Sequence, residues 1–257
     1  SSHLPMLLRS LEMSLRYPVT YSHHGTSCLN GVGSRFHDGG SLNGSGTGTA
    51  ALAKRGALVD EGTEEDADFD AFRDRLEPIF VNLVRIATDV TTSYVVNRTS
   101  EMFLVLNSNQ NTNSNTNSNT NANQHSNSIS MEELETVLLM VRLCRTGSTT
   151  PEFTSLIRTI HVSGINTHSH RAVLLEYYEL SLKYSHVLST DSDCLGIVLQ
   201  TFCGPSGLHH PDATVRGQCC YHLRALCKQL SSSLKANERF VQVLLQQLHP
   251  HLLIPLS

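Results

Sequence analysis

Residues 209–230 read HHPDATVRGQCCYHLRALCKQL. Asp212 follows Pro211 and stands ahead of an apolar run, where a side-chain oxygen can accept the free backbone N–H groups of a helix start. Val215, Cys219, Leu223, Leu226 and Leu230 then recur every three or four residues. That spacing puts them on one face of a helix.

Similar amphipathic segments begin near residues 131, 169 and 212, each followed by a shorter partner helix. A helix pair recurring at about 40–47 residues is the mark of HEAT or armadillo arrays. One pair cannot cover its own apolar face, so neighbours stack into a superhelix with an extended binding surface. The string Asp212-x-x-Val215-Arg216 is typical of the second helix of a HEAT repeat. There Asp212 is expected to cap the first turn and the Arg216 stem to pack between adjacent repeats. This opening leaves the repeat phase unsettled, because residues 191–203 could be the first helix of that pair. The expected fold is all-α, a HEAT-repeat-like α-solenoid of antiparallel helix pairs with the armadillo type of superhelix.

Other helices follow from the same reasoning. Leu4, Leu7, Leu8, Leu11 and Leu15 share one face of a helix within the segment 1–24. Residues 64–106 form a further helical repeat, with Pro78 expected to kink it near Glu77. Residues 129–257 hold about three helix pairs. Ser130-x-x-Glu133 is a capping box, and Thr150-Pro151 sets a capping hydroxyl before Pro at the first helical position. Gly147, Gly164 and Gly204 fall where helices should stop. Expected core positions are Leu139, Leu143, Leu156, Ile160, Leu174, Leu175, Tyr178, Leu182, Val215, Leu223, Leu226, Leu230, Val241, Leu244 and Leu245.

Two stretches break the pattern. Residues 25–56 hold nine of the sixteen glycines, and residues 107–127 hold ten asparagines. Such polar tracts bury too little to offset the entropy of ordering, so 25–63 reads as a Gly-rich disordered insert with an acidic linker, and 107–128 as an Asn-rich one. The acids between Asp60 and Glu77 read as a solvated linker favouring a helix N-terminus.

Composition excludes several function classes. Among 257 residues there is no run of eighteen apolar ones, so no membrane insertion is expected. The chain opens Ser1-Ser2 without Met or a basic leader, and reads as a piece of a longer protein rather than a signal peptide. Seven cysteines, an odd number, read as reduced thiols of the cytosol or nucleus. The net charge of −4 is not that of a free-standing nucleic-acid binder. No GxxxxGK[ST], G-x-S-x-G or H-E-x-x-H motif is present, and no nucleophile, base and orienting group can be assembled. The chain therefore reads as no enzyme and as binding no cofactor. His209, His210, Cys219, Cys220 and His222 could be imagined around zinc, but Cys219, Cys220 and His222 share one helical turn and point apart. His168 and His170 precede a helix, where a surface or capping role is expected.

The densest basic stretch is residues 209–239. There Arg216, Arg224, Lys228, Lys235 and Arg239 face only Asp212 and Glu238. Arg224 and Lys228 lie four apart and off the apolar stripe, so they are neighbours on the helix surface. With Lys235 and Arg239 they could make a ridge facing phosphates, or simply a solvated face.

Five strings together resemble a known family, in its order. They are LPMLL…SLRYPVTY (4–21), EEDADFDAFRDRLEPIFVNLVRIA (64–87), EELETVLLMVRL (132–143), LIRTIHVSGINTHSHRAVLLEYYELSLKY (156–184) and the stretch quoted first (209–230). They resemble the central part of the exportin-T family of importin-β-like transport receptors. Pro78, a short segment after Arg145 and the two polar inserts depart from that family's pattern. The resemblance implies a nuclear export receptor that wraps tRNA together with Ran-GTP and shuttles between nucleus and cytoplasm past nuclear pore proteins. It implies that Ran is held mainly by regions outside this chain. RNA would be read by shape and phosphate backbone, since side chains cannot enter the A-form major groove. Two other classes stay open: a HEAT scaffold or protein-cargo karyopherin, and a HEAT regulatory subunit of an enzyme. Aligned Lys/Arg would favour the first reading, and mixed charge with apolar patches the others.

Overall fold

A computed structural model describes residues 3–18, 64–112, 129–144 and 150–236, with 241–242 and 245–246. Every described element is helical. In order they are α1 (His3–Leu15), α2 (Glu64–Ile86), α3 (Thr88–Thr112), α4 (Met131–Leu143), α5 (Pro151–Val162), a 3-10 turn (Ile165–Thr167), α6 (Arg171–Lys183), α7 (Ser185–Thr190), α8 (Ser192–Cys203), α9 (Ala213–Gln229) and α10 (Ser231–Ala236). The described residues contain no strand, and no single helix among them is long and apolar enough to cross a membrane.

The helices stack in two layers. α2, α4, α6 and α9 lie side by side in one; α3, α5 and α8 lie side by side in the other. α1 packs across α2, α3 and α4. This alternation of neighbours along the chain is the HEAT-repeat-like solenoid, and the core runs between the layers as one continuous cluster from Leu8 to Leu234.

Local chemistry sets the helix ends. The Ser130 and Thr150 hydroxyls accept the Glu133 and Phe153 N–H groups, each at 3.2 Å. Glu133 does not complete the capping box; its carboxylate turns outward to Arg98 and Arg16 instead. α5 stops at Ser163, and Gly164 follows with φ +83°, a left-handed turn that suits glycine. His170 caps α6 by accepting the Ala172 N–H at Nδ1, while His168 accepts the His170 N–H.

Two expectations need correcting, and one gains detail. α2 continues past Pro78 to Ile86, and the chain turns by 117° between α2 and α3. Pro78 removes one donor from the helix ladder, but Phe80 is buried beside it and Glu77 is paired with Arg142 across to α4, so packing holds the helix. α3 continues to Thr112, into the Asn-rich tract, because a helix already nucleated by packing extends at little cost per residue. The acids between Asp60 and Glu77 are not all solvated, since Glu77, within α2, is buried. Residues 25–56 and 113–127 lie outside the described residues.

Most expected core positions are buried, from Leu139 through Leu230. Leu175 and Val241 are half-buried, Leu244 is outside the described residues, and Leu245 is exposed. Leu7 is exposed as well, because α1 turns the Leu8, Leu11 and Leu15 stripe inward with Glu12 beside it.

Candidate nucleic-acid interface

α9 is held at its start by the residues that open it. The Asp212 carboxylate accepts the Thr214 and Val215 N–H groups at 2.7 and 3.4 Å. Partial burial pushes the Asp212 carboxyl up, but those N–H groups and the Arg171 guanidinium at 3.8 Å outweigh it and hold it below its ordinary value. Arg216 folds back over its own turn, donating through Nη1 to the His210 and Pro211 carbonyls at 2.7 and 2.8 Å. The Arg171–Asp212 pair ties the start of α6 to the start of α9.

The inner face of α9 is Val215, Gln218, Cys219, His222, Leu223 and Leu226. The Cys219 thiol donates to the Phe202 carbonyl at 3.2 Å, and the Tyr178 ring lies between Phe202 and His222, with centroids 4.8 and 6.2 Å away. Burial pushes the His222 imidazole down to about 4, so it is neutral near pH 7. Cys219 and His222 thus face the core, Cys220 faces outward, and His210 Nδ1 accepts the Asp212 N–H. No group of three metal-binding side chains occurs among the described residues.

The outer face carries the cations. Arg224 and Lys228 are exposed on α9, and Lys235 is exposed on α10. Among the described residues none of the three has a carboxylate within 4 Å, and no Asp or Glu occurs between 213 and 237. Arg239 lies outside the described residues. Sequence reading passed over Tyr221, which stands 46% exposed beside these cations. Its position three residues before Arg224 on a helix was the available signal.

Other arginines are committed internally. Arg73 on α2 pairs with Glu135 on α4, both buried. Arg142 on α4 meets Glu77 on α2 and Glu176 and Glu179 on α6, at 3.8, 2.7 and 3.0 Å. Arg98 on α3 meets Glu12 on α1 and Glu133 on α4. Arg158 meets Asp191 at 3.0 Å. These pairs join neighbouring helices; the charges of Arg73, Arg98 and Arg142 are held largely inside, while Arg158 stays half exposed.

The Exportin-T family model matches residues 56–256. Curated relatives with a shared stretch are the proteins named Exportin-T of Homo sapiens, Pongo abelii and Mus musculus, each 28% identical over 79 residues. That stretch is 31% of this chain and 8% of each relative. The chain is thus similar to a small part of much longer proteins.

Proposed function

Because the chain belongs to the Exportin-T family, matched over residues 56–256, we propose that it is part of a nuclear export receptor that carries tRNA out of the nucleus together with Ran-GTP. The family match is the observation that carries this reading. Such a receptor is a carrier and not an enzyme, and it shuttles between nucleus and cytoplasm through nuclear pore proteins. The unpaired cations Arg224, Lys228 and Lys235 support a phosphate-facing contact, with Arg239 as a fourth member of the ridge. They would bind backbone charge without reading sequence.

The test uses the intact receptor. Its affinity for several tRNAs is measured with and without GTP-bound Ran, over a range of salt. The expected result is tight binding only when Ran-GTP is present. Reversing Arg224 and Lys228 to Glu should weaken all tRNAs alike and flatten the salt dependence, because fewer counterions are released. Equal binding with and without Ran-GTP, or preference for a protein cargo over tRNA, would overturn the reading. An unchanged salt slope in the double variant would remove the ridge from the site.

A further inference from the structure

We propose that the outer face of α9 is a stacking platform for an unpaired nucleotide, with Tyr221 taking the base and Arg224 and Lys228 taking the flanking phosphates. The inference rests on the tRNA reading above and adds to it a contact with single-stranded RNA. At about 100° per residue, Gly217, Tyr221, Arg224 and Lys228 fall within an arc of about 60° on the helix, spread over about 16 Å of its length. They form one strip, with the buried residues of α9 on the other side.

Each member has a separate property. Tyr221 is 46% exposed, an unusual setting for a large aromatic side chain in a helix whose apolar stripe is otherwise inside. Its ring meets the buried His222 edge-on, with centroids 5.2 Å apart and planes at 86°, so it is steadied from beneath while part of it stays open. One turn before it, Gly217 leaves room: a Cβ there would meet nothing within 4 Å. A flat base lying over Tyr221 would find open space at Gly217 itself. One and two turns after it, Arg224 and Lys228 are exposed and free of carboxylates within 4 Å among the described residues. An aromatic surface beside unpaired cations is the arrangement by which single strands are held, the ring stacking any base and the cations following the backbone. A duplex offers no exposed base face to Tyr221 and would use the cations alone.

The experiment compares the intact receptor with Tyr221→Ala, Tyr221→Phe and Arg224→Glu/Lys228→Glu variants. The probes are tRNA, a short polyuridylate strand carrying one 2-aminopurine, and an RNA duplex of the same length. Tyr221→Ala should weaken the single strand about tenfold, the loss of one stacked base, with its salt slope unchanged and the duplex unaffected. The fluorescence quenching of the stacked 2-aminopurine should vanish in Tyr221→Ala and persist in Tyr221→Phe, which keeps the ring. The double charge reversal should weaken both single strand and duplex and flatten both salt slopes. Wild-type binding of polyuridylate that Tyr221→Ala leaves intact would overturn the inference and leave the export reading standing. A receptor that binds no tRNA even with Ran-GTP would overturn both. A face that takes polyglutamate as readily as polyuridylate, with no quenching, would assign it to an acidic protein partner and also overturn the inference.

Discussion

Arg73 on α2 and Glu135 on α4 form a buried ion pair in which one guanidinium nitrogen sits 2.6 and 2.7 Å from the two carboxylate oxygens. The same guanidinium lies over the Tyr17 ring, 4.1 Å from its centroid, so α2, α4 and the segment after α1 meet at one side chain. Removing one partner strands the other charge away from water, which costs about 3–5 kcal/mol. Arg73→Met and Glu135→Met should therefore each lower the unfolding temperature sharply. The double variant should recover most of the loss, because two apolar side chains leave no charge uncompensated. A double-mutant cycle in thermal unfolding measures this, and purely additive losses would show that the pair acts through packing alone.

Glu12 gives a second prediction. It is fully buried on α1, with its carboxylate 2.5 Å from the Tyr94 hydroxyl, 2.9 Å from Arg98 Nε and 3.0 Å from Arg9 Nη1. Burial pushes the Glu12 carboxyl up, but the Tyr94 and Arg98 hydrogen bonds and the two guanidinium charges prevail and hold it below its ordinary value. The folded state therefore favours the carboxylate, and this stabilisation is whole above about pH 4.5 and fades as pH falls through the lowered value. Glu12→Leu should loosen α1 and speed amide exchange there about tenfold or more, each tenfold being about 1.4 kcal/mol. Glu12→Gln, which keeps an acceptor for Tyr94, should do less. Unchanged exchange in α1 would show that Leu8, Leu11 and Leu15 suffice to hold it.

What the sequence revealed and what it hid divide along one physical line. Ser130, Thr150 and Asp212 were legible as caps because a cap needs only a short polar side chain and the next three residues. The inward stripe of α9 was legible because period alone fixes a face. Glu12, Arg73, Glu77 and Glu135 were not, since a buried charge needs a partner, and these partners come from helices far along the chain. The acids between Asp60 and Glu77 looked solvated until Arg142 on α4 was placed against Glu77. Leu7 and Leu245 erred the other way, because a stripe wider than its groove leaves its margin in water. At the interface, the residue types and spacing named Arg224, Lys228 and Lys235. They could not show that Arg73, Arg98 and Arg142 are neutralised inside, nor that Tyr221 is left exposed.

The start of α9 allows a ranking. Asp212 satisfies two N–H groups, so Asp212→Ala should cost about 1–2 kcal/mol, and Asp212→Asn much less. Arg216 makes two hydrogen bonds to loop carbonyls, and Arg216→Ala should cost about 1 kcal/mol. The Arg171–Asp212 pair is 3.8 Å long and partly exposed, so Arg171→Ala should cost about 0.5 kcal/mol or less. Thermal unfolding of the three alanine variants checks the order. If Arg216→Ala were the most damaging, its stem would be a strut between repeats rather than a clasp on its own loop.

The last prediction concerns acid. His161 on α5 is fully buried, and neither ring nitrogen has a hydrogen-bond partner among the described residues. Its ring stands edge-on to Tyr177, with centroids 5.3 Å apart and planes at 86°. Burial pushes the imidazole down to about 4, with Asp191 pulling weakly the other way. Between that value and the ordinary 6.5, the unfolded chain binds a proton that the folded chain refuses. Stability is therefore whole above pH 6.5 and falls as pH drops towards 4. From the two values, one such histidine removes about 2 kcal/mol between pH 7 and pH 5. His161→Phe keeps a ring against Tyr177 and cannot titrate, so it should match or exceed the wild type at pH 7 and lose about 2 kcal/mol less on going to pH 5. His222, held down to about 4 by the same cause, should leave a further part of the slope that His161→Phe/His222→Phe reduces again. Urea unfolding of the intact receptor at the two pH values decides it. An equal loss in wild type and His161→Phe would mean that the buried ring finds a partner for its proton and that the acid sensitivity lies elsewhere.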